Sequence, residues 1–324
     1  MKIKNIMKIA IAVIMSQALT VNAVAESYPS EPISIVVVWP AGGGHDVTAR
    51  LVGQYLSEEA SVPVVINNVT GAGGSTGMRA IANAQKDGYT IGIMGLHAIS
   101  ASFMNRNAPT LDEIQPLAYI GPDPGALQVT PESGINSLDE FIAILKKEPG
   151  SIVNGNDGLG GNSYIFASVL ETELGVKMTR IPYAGHAPNV AALMSAEVMS
   201  ATLPVPPTAE HTLGGKIKTL GVMAETRHHL LPDVPTFKEQ GYDIVIGDFY
   251  TLVAPTGLPA DRLKKLESML SNVLNNEEFQ KRAYQMGLVL DPKGLDETEA
   301  LISKETEIIY KILTEGGLVK VPKK

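Results

Sequence analysis

The chain has no cysteine, a single tryptophan among 324 residues, and fewer basic residues (26) than acidic ones (34). Without thiols, disulfides, thiol chemistry and thiolate metal sites are excluded. A net charge of −8, with no arginine-rich stripe and no base-stacking platform, argues against nucleic acid as a partner. Histidine is scarce as well. Of six, only His228 and His229 are close in sequence, and neighbours on an extended chain point oppositely, so no metal site is assigned and no cofactor is expected.

Long apolar runs are also few, and the one at the amino terminus has the layout of an export signal. Lys2, Lys4 and Lys8 precede an apolar stretch over 9–15, continued less strictly to Val21, and Ala23-Val24-Ala25 offers small residues at the cleavage positions. The segment is too short and too interrupted for a spanning helix. Residues 1–25 are therefore expected to be a removed signal peptide. The mature protein, a soluble exported one, would begin near Glu26.

What the chain has in quantity is glycine, 31 residues, much of it in turns that follow apolar runs. Residues 33–39 read as a buried strand, Pro40-Ala41-Gly42-Gly43-Gly44-His45-Asp46 as a glycine turn, and 46–59 as an amphipathic helix. The layout repeats with a strand over 62–66, the turn Gly71-Ala72-Gly73-Gly74-Ser75-Thr76-Gly77 and a helix from Met78. A strand over 89–94 follows. Successive strand, turn and helix units predict an α/β fold with parallel sheets flanked by helices. Periodicity fades over 96–109, which is expected to be irregular or mobile.

Strands over 117–120 and 126–129 lead to a helix over 138–147 and a second set of units. In that set the turn Gly155-Asn156-Asp157-Gly158-Leu159-Gly160-Gly161 precedes a helix over 162–174. Residues 248–254 read as a strand returning to the first domain, with helices closing the chain. Two crossovers imply two lobes, 26–126 with 249–324 and 127–248, with a cleft and a hinge between them.

The turns are the candidate site. Amides at a helix start can hold an anion without a basic side chain, so Gly43 to Asp46 are candidates for a carboxylate cradle. Asp46 can instead fix the turn by accepting amide hydrogen bonds. This turn lacks the Gly-Lys-Ser/Thr ending of a nucleotide-binding P-loop. Gly73-Gly74-Ser75-Thr76-Gly77 matches a nucleophile elbow, but the preceding strand ends too early and no second triad signal appears. Ser75 and Thr76 are read as donors to an anion. Asn156, Asn162 and Ser163 would offer neutral donors from across the cleft, and 183–188 would add the Ala184 and Gly185 amides and His186. Trp39 reads either as a pocket wall or as core.

Several ordered motifs resemble one family. They are Pro40-Ala41-Gly42-Gly43 with Asp46, Ala49 and Arg50; Asn68 with Gly71-Ala72-Gly73-Gly74; and Asp87-Gly88-Tyr89-Thr90. Pro182-Tyr183 with Gly185, Leu231-Pro232-Asp233-Val234-Pro235-Thr236, and Ala254-Pro255 with Gly257 and Pro259 complete the set. Together they are similar to the Bug family, the TctC-like periplasmic solute-binding receptors of tripartite tricarboxylate transporters. The resemblance implies a two-lobed periplasmic-binding-protein fold in which each lobe is an open, mainly parallel sheet with flanking helices. It implies a monomer, a small organic acid as ligand, membrane permease subunits as partners, and no catalysis.

Carried onto this chain, the family's ligand loops fall on Ala41, Gly42, Gly43, Gly44, His45 and Asp46, and on 71–76, including Gly73, Gly74, Ser75 and Thr76. The cross-cleft loop falls on 157–163, with Asp157, Gly160, Gly161, Asn162 and Ser163. The chain departs from the family at His45, at Tyr164 in place of a frequent His, at Ala184 in place of a common Lys, and at Ala192 in place of a common Asp. These departures suit an aromatic or less charged acid. Two other classes stay open at this point: an exported hydrolase using Ser75, and an adhesion or scaffold module.

Overall fold

The computed structural model describes residues 28–323, so the expected signal peptide lies outside the described residues. In chain order the first elements are β1 (Ile33–Val37), α1 (Gly44–Ala60), β2 (Val64–Asn68), α2 (Ser75–Ala82), β3 (Thr90–Met94), α3 (Leu96–Met104) and a long β4 (Ile114–Val129). There follow α4 (Leu138–Lys147), β5 (Val153–Asp157), α5 (Asn162–Leu174), β6 (Thr179–Tyr183), α6 (His186–Met194), β7 (Ser200–Pro204), α7 (Pro206–Leu213) and β8 (Lys218–Val222). β9 (Gly247–Pro255), α8 (Ala260–Leu274), α9 (Glu277–Gln285) and α10 (Leu295–Glu315) complete the chain.

β1 is apolar on both faces because both faces are covered. Ile33, Ile35 and Val37 pack with Val52 and Leu56 of α1 and with Leu266 and Phe279 from the closing helices. Val36 and Val38 meet Met78 and Ile81 of α2 on the other side. β1 pairs in parallel with β2 and β3. β5 likewise pairs in parallel with β6 and β7. Each lobe thus has three parallel strands at its outer side, as the repeated units predict.

The inner strands run the other way, so each lobe's sheet is mixed rather than mainly parallel. β9 is antiparallel to both β3 and β4. β4 pairs with β9 as far as Asp123 and Pro124, opposite Asp248 and Gly247, and from Gly125 onward it pairs antiparallel with β7 and β8. One 16-residue strand therefore serves both lobes where two short strands are predicted. Pro116, Pro122 and Pro124 interrupt its apolar pattern, and its register against β9 shifts twice, between Pro116 and Ala118 and between Tyr119 and Gly121.

A second correction concerns 96–109. Residues Leu96–Met104 form α3, and all nine are buried. A helix covered on every side has no polar stripe, which is why its periodicity is invisible in sequence. Leu96, Ile99 and Phe103 join Phe166 and Leu170 of α5 and Ile309 and Leu313 of α10 in one apolar cluster, so the lobes touch across the cleft. The Ser100 hydroxyl donates to the Gly160 carbonyl at 2.6 Å along the same contact.

Candidate ligand cleft

Three helices start at the cleft with glycine as N-cap and no side-chain cap: α1 after Gly43, α5 after Gly161 and α6 after Gly185. In α1 the first amide to reach a backbone carbonyl is that of Val47, bonded to Gly43 at 3.0 Å, which leaves the amides of the turn before it free of helical partners. Between these starts lies a cavity partly open to solvent. Trp39, Pro40, Ala41, Gly43, Gly44 and His45 form its first-lobe wall, and Asp157, Asn162 and residues 184–188 form the other. No lysine or arginine lines it among the described residues.

Half of the sequence candidates line this cavity, and the rest take defined places around it. Gly42 adopts φ +86° and donates its amide to Asp46 at 2.9 Å. Asp46 also accepts from Arg50 through two 2.9 Å bonds and from Asn68 at 2.9 Å, so its carboxylate is spent on fixing the turn. Burial pushes its carboxyl upward, but these donors outweigh that and hold it below its ordinary value. Gly73, Gly74 and Gly161 line an adjoining groove that shares Trp39, Asp157, Ala184 and Gly185 with the main cavity.

Ser75 and Gly160 border a separate hollow. The Ser75 hydroxyl is buried and accepts from Asn105 at 3.0 Å rather than meeting a histidine. Thr76 is exposed and lines none of these spaces. Ser163 is fully buried within its turn, accepting from the Asp157 amide at 2.6 Å. Tyr164 lies beneath the Arg180 guanidinium, 4.6 Å from its ring centre, away from the cavity.

Beneath the cavity sits a polar cluster of which sequence reading named only His45. His97 of α3 accepts from the Trp39 indole at 3.2 Å, and His45 stands edge-on between His97 and Tyr250, at 5.2 and 5.0 Å. The Tyr250 hydroxyl donates to Asp123 at 2.6 Å. Asp248 accepts from the Leu96 amide at 2.7 Å and from the Asn162 side chain, tying α3 to α5. These residues come from distant elements, and no local motif announces them.

His45, His97 and Asp248 bring potential metal-ligand atoms within 4.8 Å of one another. A ring nitrogen that accepts from Trp39 carries no proton, so neutral His97 holds its proton on Nε2. Burial keeps both rings neutral, pushing His97 down to about 3 and His45 well below its ordinary value, with His97 and His186 adding repulsion at His45.

Burial also pushes the Asp123 carboxyl up to about 6, against the opposing pull of the Tyr250 hydrogen bond and of His186. For an acid raised in the folded state, the native protein holds its proton more tightly than the unfolded chain. Stability therefore falls as pH rises from about 4 to about 6 and stays lower above that; a shift of this size is worth about 3 kcal/mol. Asp123→Asn is expected to flatten that fall. Melting curves at pH 4, 5, 6 and 7 test this, and parallel profiles for wild type and variant would show that Asp123 does not carry the effect.

The fold and cleft define a class: a two-lobed α/β protein of the periplasmic-binding-protein kind, with a cavity between its lobes. The chain belongs to the tripartite tricarboxylate transporter receptor family, whose TctC model matches residues 48–318. It is 28% identical to protein BugT of Bordetella pertussis over 90% of this chain and 91% of that one. Its fold matches the solved periplasmic binding protein BugD with a TM-score of 0.82 at 28% identity, covering 90% of this chain and 99% of that one. The R. palustris protein Rpa4515, solved with adipate, shares the fold with a TM-score of 0.83 at 23% identity, over 90% and 99% of the two chains. Among the described residues no helix is long and apolar enough to cross a membrane.

Proposed function

We propose that this protein is a periplasmic receptor that closes on a small organic acid and hands it to the membrane subunits of a tripartite tricarboxylate-type permease. The observation that carries this reading is the meeting of three glycine-started helix N-termini at one cavity whose wall has no lysine or arginine, with no side chain capping those of α1 and α6. Free amides and aligned peptide dipoles favour a carboxylate at such a place. The adipate held by a protein of the same fold supports an acid of this kind. The hinge belongs where β4 and β9 cross, near the lobe boundaries at 126 and 248, and closure needs only a modest difference in affinity between the open and closed forms.

Mass spectrometry of ligand released from protein purified without refolding, alongside a thermal-shift screen of organic acids, tests the reading. An acid at a hundred times its Kd should add about 2.7 kcal/mol of stability. Gly43→Val is expected to weaken binding at least tenfold without unfolding the protein. Gly43 has φ −80°, and the nearest atom to an added Cβ is the Pro40 carbonyl at 3.6 Å, so the new side chain has room in the fold but stands on the cavity wall. Calorimetry giving unchanged affinity would move the acid away from α1.

A further inference from the structure

Asp157 is an unusual residue to find on the wall of an anion site, and its surroundings are built to hold it there. Its side chain is buried. Ser163 returns its amide to Asp157 Oδ2 at 3.2 Å while accepting the Asp157 amide, so the carboxylate already occupies the start of α5. The same Oδ2 lies 3.8 Å from His186 Nε2. Gly161 has φ −71°, which any residue adopts, yet a Cβ there would overlap the Asp157 side chain. Glycine is therefore required by the seat of Asp157 and not by the turn.

With Oδ2 engaged, Oδ1 has no partner among the described residues. The next lining residue, Asn162, presents the same chemistry. Its amide nitrogen is committed to Asp248, and its buried Oδ1 is likewise unpartnered. The second-lobe side of the cavity is thus lined by two residues that each hold a buried acceptor oxygen without a donor, one of them a carboxylate, with no lysine or arginine on the wall to offset it. Buried acceptors without donors are costly, and a second carboxylate placed against them adds like-charge repulsion.

Resting on the receptor reading above, we propose that the ligand is a carboxylic acid carrying a hydrogen-bond donor at its far end, an ammonium group foremost. Its carboxylate lies on the α1 amides and its donor on Asp157 and Asn162. The apolar body between them packs along Trp39. Asp157 is thus the residue that selects against plain dicarboxylates.

Calorimetry at pH 7 with two matched series tests this: 6-aminohexanoate, hexanoate and adipate, then 4-(aminomethyl)benzoate, 4-methylbenzoate and terephthalate. In at least one series the amino acid should bind ten times or more tighter than the diacid, with the donor-free acid between. Asp157→Asn should cost the amino acid at least tenfold and improve the diacid. The wild-type series is decisive even if the variant folds poorly. A diacid that binds as tightly as the amino acid, with its order unchanged in the variant, overturns the role of Asp157 and leaves the receptor reading standing. Failure of every acid in both series to bind at millimolar concentration overturns both.

Discussion

Gly44→Ala is expected to lower the melting temperature by roughly 5 °C and to weaken ligand binding at least tenfold, as overpacking at a rigid site costs about 1–3 kcal/mol. Helix propensity alone gives the opposite sign, because alanine inside a helix is favoured over glycine by about 1 kcal/mol. Packing wins here because a Cβ on Gly44 would overlap the Tyr250 hydroxyl. That hydroxyl cannot swing aside freely: it is buried, bonded to Asp123 at 2.6 Å, and its ring is held edge-on by His45. Removing it makes room, since the next atom, Tyr250 Cζ, lies 3.4 Å from the added methyl. The double variant Gly44→Ala, Tyr250→Phe should therefore be more stable than the sum of its parts, a coupling that a double-mutant cycle measures. Gly43→Ala is the control, expected to cost about 1 kcal/mol or less, the ordinary difference between these residues at an N-cap. If the two alanine variants melt together, steric closure against Tyr250 is not what keeps glycine at position 44.

The second large effect belongs to Asp248. Its Oδ1 takes the amide at the start of α3 and its Oδ2 takes the Asn162 side chain at the start of α5, so one side chain on a crossing strand ties the two lobes. Asp248→Ala leaves two buried donors without an acceptor, which costs about 3 kcal/mol. Because one of those donors lies on each side of the cleft, the loss should fall on the closed form. Ligand affinity is expected to drop tenfold or more, and the radius of gyration of the ligand-saturated protein, by small-angle scattering, should move toward that of the ligand-free form.

Asp248→Asn separates the tie from the charge. It keeps an acceptor for the Leu96 amide, and its own amide can donate to Asn162 Oδ1 once the Asn162 side-chain amide turns over. Burial, reinforced by the charge of Asp123, pushes the Asp248 carboxyl well above the carboxylate range. The folded wild type therefore loses stability as pH rises past the unfolded value, and the asparagine variant's advantage should grow with pH. An alanine variant that binds and scatters like wild type would show that closure does not depend on this tie.

The elements that sequence reading places well are those with a local signature. β1 is marked by an apolar run bounded by glycine, α4 by Ser137 accepting the Glu140 amide at its start, and β9 by an apolar stretch between turns. The glycine turns around 40–46, 157–162 and 184–186 are equally legible, because a backbone that turns sharply after a strand has few residue choices. Where neighbours erase the signature, reading fails. α3 is buried all round and shows no period, and β4 carries three prolines and serves two sheets.

By itself the sequence determined the kind of fold, the export signal as an expectation, and which glycine turns border the cleft, since periodicity and turn chemistry act over a few residues. Only the tertiary structure decided which side chains in those turns face the cavity. Asp46 turns back to its own loop, while Asp157 lines the cavity with its Oδ1 left unpartnered. It also decided that His45, His97, Asp123, Asp248 and Tyr250 meet beneath the cavity. The direction of a side chain and the company of a buried charge depend on residues far away in the chain, brought near only when the crossing strands set the two lobes face to face.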